Sequence, residues 1–538
     1  MSSTAMSLPA DGPAPGLSAL AQRAAEQGWL KWAIVLTAAF AAILEVVDVS
    51  IVNVALPYMQ GNLDASLSEI GWVSTSYSIA NVIVIPLSAW LGLRFGKKRY
   101  FIFSLVAFVL ASILCGLATN LTMLIVGRVI QGLGGGGLIA KGQALMFETV
   151  PQEEQAKAST IFSLGVIGGP AIGPALGGYL TDNFSWRWIF FINIPLGILA
   201  VMMAMTFLPS DDPHARKKGD IDWQGILYLA LGLGAFQTVL EQGQQDDWFS
   251  SVFIQRMAIL SIVGLALFVW QELRIPHPAV DLRVLKHRAL AAGSVVSLAI
   301  GMGLYGTVFV VPVFAQTVLQ FTATKTGMML VPGAIASAVG MFLLQPLLKL
   351  LSPKLMIAIG CLITIAVMFS FAHLNPDTGA EEFYWPLIWR GFGTVIMFLP
   401  LSIATLGSLP KKDVASGSGF FSLTRQLGGS IGIAAITTLV AKQEFVHRSQ
   451  LVYNVSELNP AYPDRLSANT AFFNTQSGDP AGVQNQALAM IDRAVNLQAS
   501  LLSYRDVFYA VALVFALTLP LILFLGQGGR KPPADAEI

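Results

Sequence analysis

Residues 32–54 read WAIVLTAAFAAILEVVDVSIVNV, an apolar run that contains two acidic residues, Glu45 and Asp48. A run of this length can cross the hydrocarbon core of a membrane as a single helix. An ionisable side chain at bilayer depth costs roughly 2.5–3.5 kcal/mol on insertion scales, so it persists mainly where it faces a cavity or a partner. The stretch therefore predicts a membrane-spanning helix that carries functional carboxylates.

The composition of the whole chain agrees with this interpretation. Of 538 residues, 54% are hydrophobic and only 12% are charged, with a mean hydropathy of +0.66. A soluble protein carries about a quarter of its residues as Asp, Glu, Lys and Arg, so an ordinary cytosolic enzyme is excluded. The net charge of +1 offers no basic surface for nucleic acid. Cys115 and Cys361 lie in apolar segments and the histidines lack metal-ligand spacing, so we expect no disulfide framework, metal or other cofactor.

Apolar runs of roughly 20 residues recur along the chain. They predict an all-α integral membrane protein that has about fourteen transmembrane helices. The predicted spans lie near residues 32–54, 71–93, 100–118, 122–146, 158–180, 188–208, 221–241, 255–273, 291–314, 326–348, 355–372, 386–408, 415–440 and 506–526.

The charged residues of the connecting loops predict the orientation of these spans, because Lys and Arg are retained on the cytoplasmic side during insertion. With a cytoplasmic N-terminus, the inner connections hold most of the basic residues and the outer ones are acidic. We therefore predict that both termini are cytoplasmic. The inner set includes Arg94, Lys97, Lys98, Arg99, Arg216, Lys217, Lys218, Arg274, Arg283, Lys286, Arg288, Lys411, Lys412, Arg530 and Lys531, and the outer set includes Asp246, Asp247, Asp377, Glu381 and Glu382.

One outer connection, over residues 441–505, is long and too polar to span the membrane. Asp479 and Pro480 form an N-cap and first-turn pair within it, which predicts an amphipathic helix that leads into the last span. Two interpretations stay open: the helix packs on the bundle or at the lipid surface, or it is a docking surface for another protein. Its apolar residues at helical spacing are Val483, Ala487, Met490, Ile491, Ala494 and Leu497.

The two carboxyl groups of the first span are the best candidates for a proton-binding site. Glu45 lies near the predicted midplane and Asp48 lies one turn further along the same helical face. A buried carboxyl with a second one nearby is suited to gain and lose a proton near neutral pH. The alternative is that both are structural groups, hydrogen-bonded to neighbouring helices.

Two arginines lie inside predicted spans. Arg128, with Gln131 on the same face, is predicted to be a counter-charge for a nearby carboxylate, and the alternative is that it extends to the outer surface. Arg425 lies on the same helical face as the glycines that follow it, Gly428, Gly429 and Gly432, and is expected to face a cavity. Lys141, Glu148, Glu241 and Arg390 lie within a turn or two of predicted span ends, where long side chains can reach the headgroups.

The fifth span, GGPAIGPALGG over 168–178, contains Pro170 and Pro174 among glycines. Proline interrupts the hydrogen bonding of a helix, and glycines spaced by four let a neighbouring helix approach closely. In a bilayer the segment must stay largely helical. It therefore predicts a bendable, tightly packed helix of the kind a rocking transporter needs, with Gly169, Gly173, Gly177 and Gly178 in its packing surface.

These motifs resemble those of the major facilitator superfamily, and specifically its fourteen-span drug:proton antiporter branch. VDVSIVNVALP (47–57) is similar to the first-span motif of that branch, L-D-x-T-I-V-N-V-A-L-P. GRVIQG (127–132) resembles the fourth-span motif of the superfamily, and GPALGG (173–178) resembles the antiporter signature G-P-x-x-G-G. Further matches are WRWIFFINIP (186–195) and TRQLGGSIG (424–432).

The resemblance implies two six-helix bundles, with a midplane site at their interface. It divides the chain into a polar cytoplasmic tail (1–30), a first bundle (31–208), two linker helices (209–274), a second bundle (275–526) that contains the long outer loop, and a second cytoplasmic tail (527–538). Asn53, Gln131 and Arg425 are expected to line the substrate cavity or to act in gating.

The activity implied by the resemblance is proton-driven export of hydrophobic drugs across a bacterial inner membrane. LEQG (240–243), followed by DWF (247–249), is similar to EmrB-type efflux pumps, which implies a periplasmic adaptor of the EmrA type and a TolC-like outer-membrane channel as partners. A proton-coupled importer or exporter of a specific metabolite is the alternative, whereas an enzyme is not expected, since no nucleophile has an adjacent base.

Two positions depart from the pattern of the family. The motif between spans two and three, usually G-x-L-x-D-R-x-G-R-R, reads AWLGLRFGKK (89–98), and Leu93 replaces its aspartate. A gating charge pair that uses this aspartate is therefore not expected here. Glu45 replaces a residue that is commonly uncharged, and it would either share the proton with Asp48 or, when ionised, attract a cationic substrate.

Overall fold

A computed structural model describes residues 17–211, 221–456, 459, 461–475 and 480–525. Within these ranges the regular structure is helical and contains no β-strand, so the predicted all-α fold class is confirmed. The predicted inner residues Arg216, Lys217, Lys218, Arg530 and Lys531 and the predicted N-cap Asp479 lie outside the described residues.

The helices of the first half follow the predicted spans closely. Polar residues stop and start them: Ser66, for example, caps the second long helix together with Glu69, each side chain bonding the backbone N–H of the other residue, which satisfies donors that a helix start leaves free. The helices are α1 (Ala19–Glu26), α2 (Leu30–Asn62), α3 (Leu67–Phe95), α4 (Lys97–Gly116), α5 (Leu121–Gly135), α6 (Leu138–Thr149), α7 (Gln155–Asn183), α8 (Trp188–Phe191) and α9 (Asn193–Phe207).

The fourth predicted span differs from the prediction, because it is broken into α5 and α6. The break falls in the glycine run, and Gly137 has a φ of +73°, a left-handed conformation that only glycine adopts without strain. Gly132, just before the break, is so close to α3 that a Cβ atom would lie 2.7 Å from the Tyr77 carbonyl oxygen. The glycines therefore serve both the break and close packing.

In the linker helices and the second half of the chain, polar caps and proline again mark where helices begin. Ser352 caps one of these helices, whose first turn begins with Pro353, as the fixed backbone angle of proline favours. The helices are α10 (Trp223–Gln242), α11 (Val252–Arg274), α12 (Arg288–Thr317), α13 (Ala323–Leu350), α14 (Pro353–Phe371), α15 (Tyr384–Leu406), α16 (Val414–Tyr453), α17 (Ala461–Asn474) and α18 (Pro480–Ile522).

Most of these helices are suited to span a membrane. Among the described residues, 12 helices are long and apolar enough to cross one, and α7 makes up to 13 if its two bent segments form one span. The remaining predicted span, 415–440, lies in α16, where glycine, serine and threonine reduce the hydropathy. The orientation of the termini stays a prediction.

The two halves of the chain meet along two sets of helices. On one side α7 packs against α13 and α15, and on the other α3 and α6 pack against α16. A hydrogen bond of 2.7 Å from Ser418 Oγ to the Ala140 carbonyl oxygen joins α16 to α6. The linker helix α10 contacts both α3 and α16, so it touches both halves.

The long connection that is predicted to lie outside forms a helical projection made of the end of α16, α17 and the start of α18. Arg448 of α16 pairs with Asp492 of α18 at 2.8 Å, and Ser500 Oγ donates to Glu444 Oε1 at 2.6 Å. The predicted amphipathic helix is part of α18 and continues into the last span without a break. Its residues Val483 and Ala487 are buried, on the part of α18 that packs with α17.

Candidate functional site

Asp48 is the centre of a buried polar network. Its side chain is fully buried, at 0% exposure. Oδ2 accepts a hydrogen bond from Arg128 Nη1 at 2.6 Å, and Oδ1 accepts from Gln131 Nε2 at 2.8 Å and from Asn193 Nδ2 at 2.7 Å. All three partners are donors, so the arrangement is that of an ionised carboxylate.

Arg128 is held in place by two further contacts. Its Nε donates to the Val73 carbonyl oxygen at 3.1 Å, and its guanidinium carbon lies 4.2 Å from the centre of the Tyr77 ring. Both contacts come from α3, while Asp48 lies on α2 and Arg128 on α5. The ion pair is therefore fixed by three helices and shielded from water, with the guanidinium 1% exposed. The predicted counter-charge faces the predicted carboxylate.

Local helix geometry explains why Arg128 and Gln131 act together. Residues three apart lie on the same helical face, and Arg128 Nη1 donates to Gln131 Oε1 at 2.7 Å. The α5 helix thus presents a preformed pair of donors to α2. The pairing of Asp48 with this face was expected from charge alone, because a buried carboxylate and a buried guanidinium each need a partner.

Sequence reasoning missed two members of the network. Asn193, the first residue of α9, bonds Asp48, and Ser112 Oγ on α4 accepts from Gln131 Nε2 at 2.8 Å. The signal available for Asn193 was an amide inside the WRWIFFINIP motif, in an otherwise apolar span. Ser112 carried no signal, since a lone serine satisfies itself in a helix by bonding its own backbone.

Glu45 occupies a separate site. Its Oε1 accepts from Asn81 Nδ2 at 2.8 Å and its Oε2 accepts from the Ile139 backbone N–H at 2.8 Å. Ile139 is in the first turn of α6, where the break after Gly137 leaves backbone N–H groups without helical partners. The two carboxylates of the first span therefore bind different halves of the broken fourth span, Asp48 to α5 and Glu45 to α6.

The other predicted site residues lie apart from this network. Asn53 is exposed, and its Oδ1 accepts from Ser74 Oγ at 3.0 Å. Arg425 is buried on α16 and lines a cavity between the halves. Two of the residues that lie near predicted span ends have contacts inside the protein: Arg390 lines the same cavity, and Lys141 Nζ donates to Ser104 Oγ at 2.7 Å.

The fifth-span glycines lie where α7 meets α2. A Cβ atom on Gly169 would lie 2.7 Å from Val46 Cγ1, and one on Gly173 would lie 2.8 Å from Ser50 Cβ. Gly177 is equally close to Ile51, while a Cβ on Gly178 would meet nothing within 4 Å. The helix bends by 43° between the segments Gln152–Gly169 and Ile172–Asn183. Pro170 lies at this bend, and Pro174 follows it. The α7 helix thus combines a bend with close contact to the helix that carries Asp48.

We expect Gly173→Ala to lower the free energy of unfolding by about 1–3 kcal/mol and to reduce transport, because the methyl group would separate α7 from α2. Gly168→Ala is the matched control, since a Cβ there meets nothing within 4 Å. Its effect should stay within about 0.5 kcal/mol. Stability measured by denaturant titration in detergent, with transport in vesicles, checks both. Equal effects of the two substitutions would contradict the packing role of Gly173.

A bundle of apolar helices that encloses a buried ion pair away from lipid is typical of a membrane transporter, in which helices from several parts of the chain surround the charged groups. The profile of the Major Facilitator Superfamily matches residues 38–433, and this chain belongs to that superfamily. The resemblance noted in its motifs is thereby confirmed. It is a multi-pass inner-membrane protein.

Two curated relatives and one solved structure support this assignment. The multidrug export protein EmrB of Escherichia coli (strain K12) is 34% identical over 502 residues, which cover 92% of this chain and 94% of that protein. The fatty acid resistance protein FarB of Neisseria gonorrhoeae is 30% identical over 509 residues, covering 94% and 96%. The human organic anion transporter MFSD10 matches in fold with a TM-score of 0.57 at 10% identity, over 90% of this chain and 99% of that one.

Proposed function

We propose that this protein exports hydrophobic, toxic compounds across the inner membrane in exchange for protons, and that Asp48 is the proton-binding group. The observation that carries the proposal is the fully buried Asp48 carboxylate, bonded to Arg128 at 2.6 Å. A proton that binds Oδ2 competes with the Arg128 guanidinium for the same atom. Proton binding and helix packing are therefore linked at a single atom.

The coupling follows from this competition. Protonation of Asp48 removes its negative charge, which weakens the attraction between α2 and α5 and leaves the buried guanidinium without its partner. A state of the bundle that gives Arg128 another partner, or water, is then favoured. Proton binding drives the cycle because the inward-facing and outward-facing states hold the proton with different affinity. In the proposed cycle, a proton from the outside binds Asp48 and favours release of the substrate outward.

The substrate class and direction are supported by the curated relatives, one named as a multidrug exporter and the other as a fatty acid resistance protein. The GPALGG segment on α7 adds support, since it resembles the signature associated with antiporters. A proton-coupled importer or exporter of a specific metabolite is the alternative, and it predicts a single preferred substrate.

We also propose a periplasmic adaptor of the EmrA type and a TolC-like outer-membrane channel as partners. The helical projection of α16, α17 and α18 is the candidate docking surface. Its side chains include exposed aromatic groups, among them Phe445 at 78% and Tyr453 at 85% exposure. Exposed aromatic side chains at the outer end of a membrane protein are suited to a protein interface.

Inverted membrane vesicles test the proposed exchange. In vesicles acidified inside by respiration, a fluorescent hydrophobic compound should accumulate, and adding it should release protons from the lumen, which a pH-sensitive dye detects. Nigericin, which collapses the pH gradient, should stop the accumulation. An importer that moves protons and substrate in the same direction would give no accumulation, and that result would contradict export by antiport.

A further inference from the structure

A cavity lies between the two halves of the protein, and its lining includes no member of the Asp48 network among the described residues. Helix α7 of the first half lines one side of it, and α12, α13, α15 and α16 line the other. Most of its lining is apolar, including Val166, Ile167, Leu304, Val308 and Leu330. Two charged residues, Arg390 and Arg425, line it as well, and its described lining contains no carboxylate.

Two nitrogens of the Arg425 guanidinium have no hydrogen-bond partner among the described residues. The residue is 4% exposed, and its Nε and Nη1 are buried atoms to which no described residue offers an acceptor. Its Cζ lies 5.1 Å from the centre of the Phe398 ring, on the cavity wall. A buried donor without an acceptor costs about 1–3 kcal/mol, and more when it is charged. An unpaired group of this kind points to an acceptor that the protein itself does not supply.

The acidic residues of the first span do not supply that acceptor. The two Glu45 oxygens already accept from Asn81 and from the Ile139 backbone. Asp48 is paired with Arg128. Each of these carboxylates therefore has its own donors, and neither lines the cavity.

Arg390 approaches the cavity from another helix. It lies in the second turn of α15, and its Nη1 donates to the Thr307 carbonyl oxygen at 3.4 Å, a long hydrogen bond. Arg425 lies about 16 Å along α16 from Val414, at 1.5 Å of rise per residue, which is near the middle of a bilayer. Two guanidinium groups from different helices thus face one apolar cavity at the interface of the halves.

We infer that this cavity binds a hydrophobic organic anion, whose carboxylate is held by Arg425 and Arg390 and whose apolar body lies against Val166, Ile167 and Leu330. The inference rests on the proposed function and names its substrate class. A guanidinium matches a carboxylate because its parallel N–H groups bond both oxygens. The same two positive charges disfavour a substrate that carries an ammonium group. This substrate class differs from the cationic substrate that an ionised Glu45 would attract, because the charged side chains that line the cavity are positive.

Three probes that share one ring system test this assignment: 1-pyrenebutyrate, 1-pyrenebutanol and 1-pyrenebutylamine, which are anionic, neutral and cationic. Equilibrium dialysis against the purified full-length protein in nanodiscs measures binding in excess of empty nanodiscs of the same lipid. We expect the carboxylate to bind about tenfold more tightly than the alcohol, as for a charge-assisted hydrogen-bonded pair, and the amine to bind most weakly.

Substitutions of the two arginines test which side chain causes the preference for the carboxylate probe. Arg425→Gln should reduce the preference for the carboxylate over the alcohol to about twofold or less, with binding of the alcohol unchanged. Arg390→Gln should reduce it partly, and Arg425→Lys should be intermediate, because it keeps the charge but not the paired N–H groups. Arg256→Gln, at an exposed position on the linker helix α11, is the control and should keep the full preference.

The possible outcomes separate this inference from the proposed function. Equal binding of all three probes by the unmodified protein would overturn it and mean that water alone solvates the guanidinium, and a preference for the amine would overturn it as well. If Arg425→Gln fails to fold, the three probes on the unmodified protein still decide. Because binding is measured without a pH gradient, a carboxylate-selective protein that does not exchange protons would retain this inference and refute proton-coupled export.

Discussion

Asp48→Asn is expected to reduce proton-driven accumulation in inverted vesicles to the level of vesicles that lack the protein. Asparagine has nearly the same shape as aspartate, so the side chain still fits between α2, α5 and α9. It does not ionise, however, and its NH₂ group faces donors in either orientation, those of Gln131 and Asn193 in place of Oδ1 or that of Arg128 in place of Oδ2. The variant therefore loses both the proton site and the attraction to Arg128.

A control and a second measurement distinguish loss of coupling from loss of folding. Asp377→Asn, at an exposed position between α14 and α15, should transport normally. Asp48→Asn should retain substrate binding in the absence of a pH gradient, within about threefold of the unmodified protein, or about 0.6 kcal/mol. Proton-driven accumulation by Asp48→Asn at the level of the unmodified protein would refute the assignment of Asp48.

Arg128→Met is expected to cause the second large effect, a decrease of about 3–5 kcal/mol in the free energy of unfolding. Methionine fills much of the space but provides no charge, so the Asp48 carboxylate stays buried at 0% exposure without its ion-pair partner. Taking a charge out of water is costly, and removal of one member of a buried pair leaves that cost uncompensated. Unfolding in a mixed detergent and SDS titration measures the change.

A double substitution shows whether the effect comes from the ion pair. Asp48→Asn combined with Arg128→Met removes both charges. The decrease in the free energy of unfolding of this double variant should therefore be smaller, by about 1–3 kcal/mol, than the sum of the decreases in the two single variants. Arg256→Met on α11 provides the control for loss of an arginine at an exposed position. Strictly additive effects would indicate that the two side chains stabilise the protein independently.

Much of the Asp48 site could be predicted from the sequence. Charged residues within apolar runs are rare, so Asp48, Glu45 and Arg128 were identifiable, and opposite buried charges have few other partners than one another. Gln131 followed from its position one turn from Arg128. Asn193 was missed because it lies 145 residues from Asp48 in the sequence. Ser112 was missed because it lies 19 residues from Gln131, on a different helix, and no local pattern relates the two.

Arg390 and Glu45 show what a local pattern leaves undecided. Distance from a span end made Arg390 a candidate for the headgroups, but the helices around it direct it into the cavity. The role of Glu45 depends on the break between α5 and α6, which exposes the Ile139 N–H group. The glycine run indicated close packing, and the left-handed conformation of Gly137 came only with the packed structure.

The class of the protein, the approximate ends of its membrane helices and the residues whose charge required a partner follow from the amino-acid sequence alone. The reason is that span length, hydropathy and the cost of burying a charge depend on the side chains of one segment and their solvent. Helix packing, in contrast, determines which charges find a partner. Asp48 and Arg128 meet because α2, α3 and α5 pack together, whereas Nε and Nη1 of Arg425 have no acceptor among the described residues because the helices around them enclose an apolar cavity.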